Sequence, residues 1–170
     1  MSTSPAAPPD ERIIVLLRHG IAEDPSDDKA DEHRGLTTEG HARTKQIARG
    51  LEQLLPKAQA IFTSPLLRAV QTALWVSKAY RSRVTVTTAD VFAPGVKAKS
   101  VAEFLRGVTE KRIIVVGHEP SLSDAMRALT GLRGSELSLK KGGCYGVRMI
   151  GDAGALEWVL TPRVLRKLGE

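Results

Sequence analysis

Four times in succession, a short apolar or β-branched run in this chain gives way to a segment with helical spacing. Arg12–Arg18, Ala58–Thr63, Val84–Thr88 and Arg112–Gly117 read as strands, the first as a buried one. Between and after them lie helices over Thr38–Leu55, Leu66–Tyr80, Ser100–Val108 and Ser121–Gly131. Local signals mark their ends. Thr37 or Thr38 serves as the N-cap of the first, with Pro56 just beyond it, and Ser64-Pro65 reads as an N-cap followed by Pro at the first helical position. Ser100–Glu103 has the spacing of a capping box, Ser121 and Asp124 cap the fourth helix, and Gly131 ends it. Ile21–Leu36 and Asp90–Ala98 are loops. Cys144–Ile150 and Ala155–Thr161 flank Gly151-Asp152-Ala153-Gly154, a hairpin signal. Strand–helix alternation of this kind demands a three-layer α/β sandwich, with a largely parallel central sheet flanked by helices and a C-terminal β-hairpin.

A chain of 170 residues suits one domain, read here as residues 11–170. Residues 1–10, rich in Pro, Ala and Ser, read as a flexible lead without the basic start or apolar stretch of a signal peptide. The longest apolar runs, such as Ile13–Leu17 and Ile113–Val116, are too short to span a bilayer, so no membrane association is expected. Cys144 stands alone, which argues against a disulfide framework and for the reducing cytoplasm, with its thiol an inert core group. The formal net charge of +6 comes with no long basic block. Two Trp, two Tyr and three Phe do not interleave with Lys or Arg, so nucleic acid is not an expected partner. No His, Asp or Glu grouping has the spacing of a metal site, and no cofactor is implied.

Ligand sites in such sheets lie off the carboxyl ends of the strands. The first strand ends in Arg18-His19-Gly20. The second ends in Thr63-Ser64-Pro65 and leads to Arg68 one turn into its helix, and the fourth ends in Gly117-His118-Glu119. If these strands are neighbours, two Arg and two His converge. Guanidiniums match phosphate oxygens bidentately and do not lose their charge, and one imidazole can attack phosphorus. Helix starts near Ser64 and Ser121 would add positive potential, and Gly20 and Gly117 permit close backbone approach. Arg18, Arg68, His118 and Gly20 are therefore the expected substrate-binding residues. His33 and His41 are expected to be solvated.

Leu16-Leu17-Arg18-His19-Gly20 resembles the signature of the histidine phosphatase, or phosphoglycerate mutase-like, superfamily. Leu36-Thr37-Thr38-Glu39-Gly40 resembles the start of that family's first helix. Thr63-Ser64-Pro65-Leu66-Leu67-Arg68-Ala69-Val70-Gln71-Thr72-Ala73 resembles its second signature, and Val115-Val116-Gly117-His118-Glu119-Pro120 its third. The resemblance implies that His19 is the phosphorylated nucleophile, with Arg18, Arg68 and His118 completing the pocket. The short span between Ala69 and Gly117 and the ending Gly117-His118-Glu119-Pro120-Ser121-Leu122-Ser123 look most like bacterial phosphohistidine phosphatases of the SixA type.

A small lid implies an open site, suited to a phosphorylated protein of the histidine-containing phosphotransfer type; a small phosphate ester is the other substrate class. The loop where mutase-like members carry an acidic Glu holds only Asp90, which argues against mutase activity. Glu119 directly follows the second His, as the acid does in acid phosphatase members, and is the first candidate for proton donor; Asp90 is the second. A non-catalytic module that binds phosphorylated partners is the reading from another class, but it would have no need of a nucleophilic His among Arg residues.

Overall fold

The computed structural model describes residues 10–134 and 136–170, so most of the expected N-terminal lead lies outside the described residues. The four strand–helix units are β1 (Glu11–Arg18) with α1 (Thr38–Leu54), β2 (Ala60–Thr63) with α2 (Leu67–Ala79), β3 (Val86–Thr88) with α3 (Ala98–Gly107), and β4 (Arg112–Gly117) with α4 (Ser121–Thr130). The hairpin strands β5 (Cys144–Ile150) and β6 (Ala153–Leu160) follow, and α5 (Pro162–Leu168) closes the chain. One six-stranded sheet runs in the order β3-β2-β4-β1-β5-β6. Pairings from β3 to β1 are parallel, and β5 and β6 join antiparallel, extending the sheet rather than standing apart from it.

β1 and β4 sit mid-sheet, which is why their apolar runs do not alternate with polar residues. Val15, Leu17, Ile114 and Val116 face α1, α2 and α5, where Ile47, Leu51, Ala73 and Leu165 meet them. Ile14, Leu16, Ile113 and Val115 face α3 and α4, against Val101, Leu105, Ala125 and Met126. Both faces of the sheet are thereby sealed. Arg12 reaches from the other end of β1 to the carbonyls of Leu105, Arg106 and Val108 at the C-terminal end of α3, where a cation is favoured.

Some helix starts differ from expectation. The Thr37 hydroxyl caps α1 by accepting from the Gly40 amide at 2.9 Å, as the sequence indicates. α2, in contrast, begins at Leu67, with Leu66 still extended, because the Ser64 hydroxyl turns the chain by accepting from the Leu66 amide at 3.2 Å. Pro65 therefore precedes the helix rather than opening it. α3 starts at Ala98 and Ser100 lies inside it, so no capping box forms; the apolar face of Val101, Ala102 and Leu105 sets its position. Neither Ser121 nor Asp124 caps α4, but Gly131 ends it in the left-handed conformation (φ 73°) as expected.

The sequence reading overlooks α5. Its signals are nonetheless present: Thr161 accepts from the Val164 amide and Pro162 stands at the first helical position. α5 packs on α1 where Gly50 has no side chain, since a Cβ there would lie 2.0 Å from the Leu165 carbonyl oxygen. A Gly→Ala change inside a helix ordinarily stabilises by about 0.5–1 kcal/mol. At Gly50 the clash should reverse that sign and cost roughly 1–3 kcal/mol, whereas Gly107→Ala, with nothing within 4 Å of the new methyl, should not destabilise. Urea unfolding of the two variants checks this, and a Gly50→Ala protein as stable as wild type would refute the packing.

Candidate active site

The register of the parallel strands brings the expected residues together. Arg18 pairs with Gly117 across β1 and β4, and Thr63 with Val116 across β2 and β4, so three strands end level. The His19 and His118 rings face each other with centroids 5.1 Å apart, inclined by 54°. His19 Nδ1 lies 2.7 Å from the Gly20 carbonyl oxygen, an acceptor only. Nδ1 therefore carries the proton, and Nε2 has the free lone pair. His118 Nε2 lies 2.8 Å from the Ser64 hydroxyl.

Gly20 holds this arrangement through its backbone. Its amide donates to Thr72 Oγ1 at 3.1 Å, and that hydroxyl donates to the Arg68 carbonyl at 2.7 Å, tying the end of β1 to the first turns of α2. With its amide so engaged, Gly20 acts on the His19 ring rather than offering a donor to a ligand. A Cβ at Gly20 would lie 2.2 Å from Thr44 Oγ1.

Arg68 is 5% exposed, and its fork meets Asp31: Nη1 donates to the Asp31 carbonyl at 2.8 Å and Nη2 to Oδ2 at 3.0 Å. Arg34 holds the other oxygen of that carboxylate, with Nε 2.8 Å from Oδ1. Arg18 Nη1 donates to the Leu139 carbonyl at 2.6 Å. The Nε groups of both Arg18 and Arg68 are buried without a hydrogen-bond partner among the described residues. Buried donors of this kind are costly unless an acceptor arrives. The site thus presents unsatisfied cationic donors beside a neutral imidazole lone pair, which fits an oxyanion.

Asp31, Arg34, Thr72 and Leu139 were not singled out from the sequence. Asp31 and Arg34 belong to the 21–36 loop, whose only sequence signal is its polarity, and their approach to Arg68 is a matter of folding. His19 is 6% exposed and His118 4%, so both rings are buried although a small lid implies an open site. The segment 139–143 covers β1: the Gly142 amide lies 3.1 Å from the Arg18 and His19 carbonyls, and the Arg18 amide donates to Gly143.

The two candidate acids lie elsewhere. Glu119 turns into the start of α4 and toward Leu139, where Oε1 accepts from Ser123 Oγ at 2.8 Å and from the Leu139 amide at 2.9 Å. Asp90 is exposed in a 3₁₀ turn (Asp90–Phe92) after the edge strand β3, and its described contacts include no site residue. His33 is exposed, but His41 is not simply solvated, because Trp75 Nε1 donates to its Nδ1 at 3.0 Å. Cys144 is fully buried, and burial pushes its thiol up to about 12. Among the described residues no cluster of His, Cys, Asp and Glu is placed to hold a metal ion, and no helix is long and apolar enough to cross a membrane.

Comparison with known proteins agrees with this geometry. The family description "histidine phosphatase superfamily (branch 1)" matches residues 14–91, a span that includes His19 and Arg68. An uncharacterised protein of Picosynechococcus sp. is 37% identical over 142 residues, covering 79% of this chain and 84% of that protein. The chain belongs to the histidine phosphatase superfamily. Its fold is similar to that of the protein histidine phosphatase SixA complexed with tungstate, with a TM-score of 0.81 at 21% identity over 90% of this chain and 99% of that one. It is also similar to phosphoglycerate mutase from Bacillus anthracis, with a TM-score of 0.75 at 11% identity over 95% and 98% of the two chains.

Burial dominates the electrostatics of both rings. It lowers His19 to about 3, against the raising effect of the Gly20 hydrogen bond and helped by the charges of His118, Arg68 and Arg18. It lowers His118 to about 4, with Arg68 and Arg18 adding to it and Asp31 opposing. Each ring is therefore neutral in the folded protein at pH values where the unfolded chain, titrating near 6.5, is already charged. The unfolded state binds more protons in that window, so stability is lost as pH falls from about 6.5 toward 4, and the loss levels off near 3. Urea midpoints measured from pH 7 to pH 4 should fall, and His118→Gln should remove part of that slope. An unchanged slope in the variant would mean that His118 is charged in the folded state.

Proposed function

We propose that this protein is a phosphohistidine phosphatase that works through a covalent intermediate on His19, with residues 11–170 as one catalytic unit. The observation that carries the reading is the His19 ring: Nδ1 is held by the Gly20 carbonyl, and Nε2 is left as a nucleophile within the electrostatic reach of Arg18 and Arg68, each of which has a buried, unmatched Nε donor. The neighbour's tungstate, a phosphate-like oxyanion, is in keeping with such a pocket.

Incoming phosphoryl oxygens replace the Asp31 carboxylate at Arg68, while Arg34 retains it. His19 Nε2 forms a bond to phosphorus as the bond to the leaving group breaks, and that group departs with the electron pair. Arg18, Arg68 and His118 hold the equatorial oxygens as charge shifts between them. Water then attacks the phosphorus, its proton passes to solvent, inorganic phosphate leaves and His19 regains its lone pair.

A histidine leaving group is favoured because, among the described residues, no carboxylate contacts either ring. An imidazole departs with little proton assistance, whereas an alkoxide needs a donor. A phosphorylated signalling protein in the cytoplasm, the compartment suited to the lone buried Cys144, is the partner we infer.

His19→Ala should abolish turnover and leave the fold intact. Rapid quench with labelled substrate should trap an acid-labile, base-stable phosphoprotein in wild type alone, and label retained by the variant would remove His19 from the mechanism. Arg68→Lys should lose roughly 10²-fold in turnover, since a point charge cannot replace the fork. Near-normal kinetics would place Arg68 outside the reaction. Across phosphohistidine peptides, phosphoserine peptides and small phosphate esters, phosphohistidine should turn over fastest; a preference for the esters would overturn the substrate assignment.

A further inference from the structure

Glu119 follows the second site histidine, yet its hydrogen bonds lead to Arg18. Oε1 accepts from the Leu139 amide at 2.9 Å, and the carbonyl of that same residue accepts from Arg18 Nη1 at 2.6 Å. Oε1 also accepts the Ser123 hydroxyl at 2.8 Å, and the Ser123 amide lies 3.4 Å from Oε2. Because Ser123 has given its one hydroxyl proton to Glu119, the Tyr145 hydroxyl 2.8 Å away must donate to Ser123. Ser123 and Tyr145 are buried on α4 and β5, and the Leu139 side chain is buried in the core between the sheet, α3 and α4. The Glu119 carboxylate is therefore an anchor set in rigid elements, and the Leu139 backbone is a strap from it to the guanidinium.

We propose that Glu119 is a positioning residue that sets Arg18 through the Leu139 backbone, and is not the proton donor of the reaction. The proposal rests on the phosphoryl-transfer reading and assigns a task to a residue that this reading leaves without one. Arg18 has a buried Nε without a partner, so where its fork points depends on what holds Nη1. Cutting the strap lets the guanidinium turn, and misplacement of about 1 Å in such a group can cost up to 10²-fold.

The test compares Glu119→Gln and Glu119→Ala, alone and with Arg18→Ala, by kcat/KM on a phosphohistidine peptide and a phosphoserine peptide and by tungstate affinity. Gln keeps an oxygen that accepts from both Ser123 Oγ and Leu139, so it should restore both substrates to within a few-fold of wild type. Ala should cost about tenfold or more on both and weaken tungstate binding. In the Arg18→Ala background the Ala change should cost nothing further, because residues that act as one unit are not additive. A Gln variant as poor as Ala on phosphoserine but not on phosphohistidine would identify a proton donor and overturn the proposal. Additive losses with Arg18→Ala would overturn it as well. Should Glu119→Ala not fold, the Gln variant and Ser123→Ala, which loosens the anchor while leaving the Glu119 carboxylate in place, carry the same test. A wild-type protein that neither binds tungstate nor turns over would defeat the phosphoryl-transfer reading itself, whatever Glu119 does.

Discussion

Everything at the site depends on the parallel pairing of β4 with β1 on one side and with β2 on the other. Val116 faces Leu17 in one pairing and Thr63 in the other, so His19, His118 and Ser64 follow strands that finish side by side. A slip of one residue would turn the apolar run of β1 onto the wrong faces of the sheet and move His19 away from His118. Close packing on both faces makes such a slip expensive. The precision of the site is thus inherited from two cores that themselves do no chemistry.

Burial of cationic donors carries its own cost. Arg68 and Arg18 each meet backbone carbonyls, and Arg68 also meets the Asp31 carboxylate, yet each retains a buried Nε with nothing to accept from it. Buried donors of this kind lose their cost when an acceptor meets them, and an anion is the strongest acceptor for a guanidinium. The same desolvation keeps both imidazoles neutral, the state a nitrogen nucleophile requires.

Much of this was legible in the residues. Each of the four expected strands and four expected helices is present, and β4 and β5 have the expected bounds. The convergence of Arg18, His19, Arg68 and His118 follows from three polar clusters at strand ends. Cap positions are less legible. Ser64 and Ser100 carry capping spacing, but the Ser64 hydroxyl is drawn toward His118 and α3 is placed by its apolar face. α5 is hard to read although Thr161-Pro162 announces it, because a helix of only seven residues offers too little periodicity to stand out.

The sequence alone determined the layer order, the doubly buried central strands and the Arg and His residues at their ends, since these follow from periodicity and residue type within a few positions of each other. Only the tertiary structure decided what each site residue touches. Asp31 lies far from Arg68 along the chain, and Leu139 far from both Arg18 and Glu119, and no local pattern couples such distant residues. Whether a carboxylate next to a histidine faces the pocket or anchors a strap depends on which backbone amides the folded chain brings within 3 Å of it, and that is settled by packing rather than by spacing.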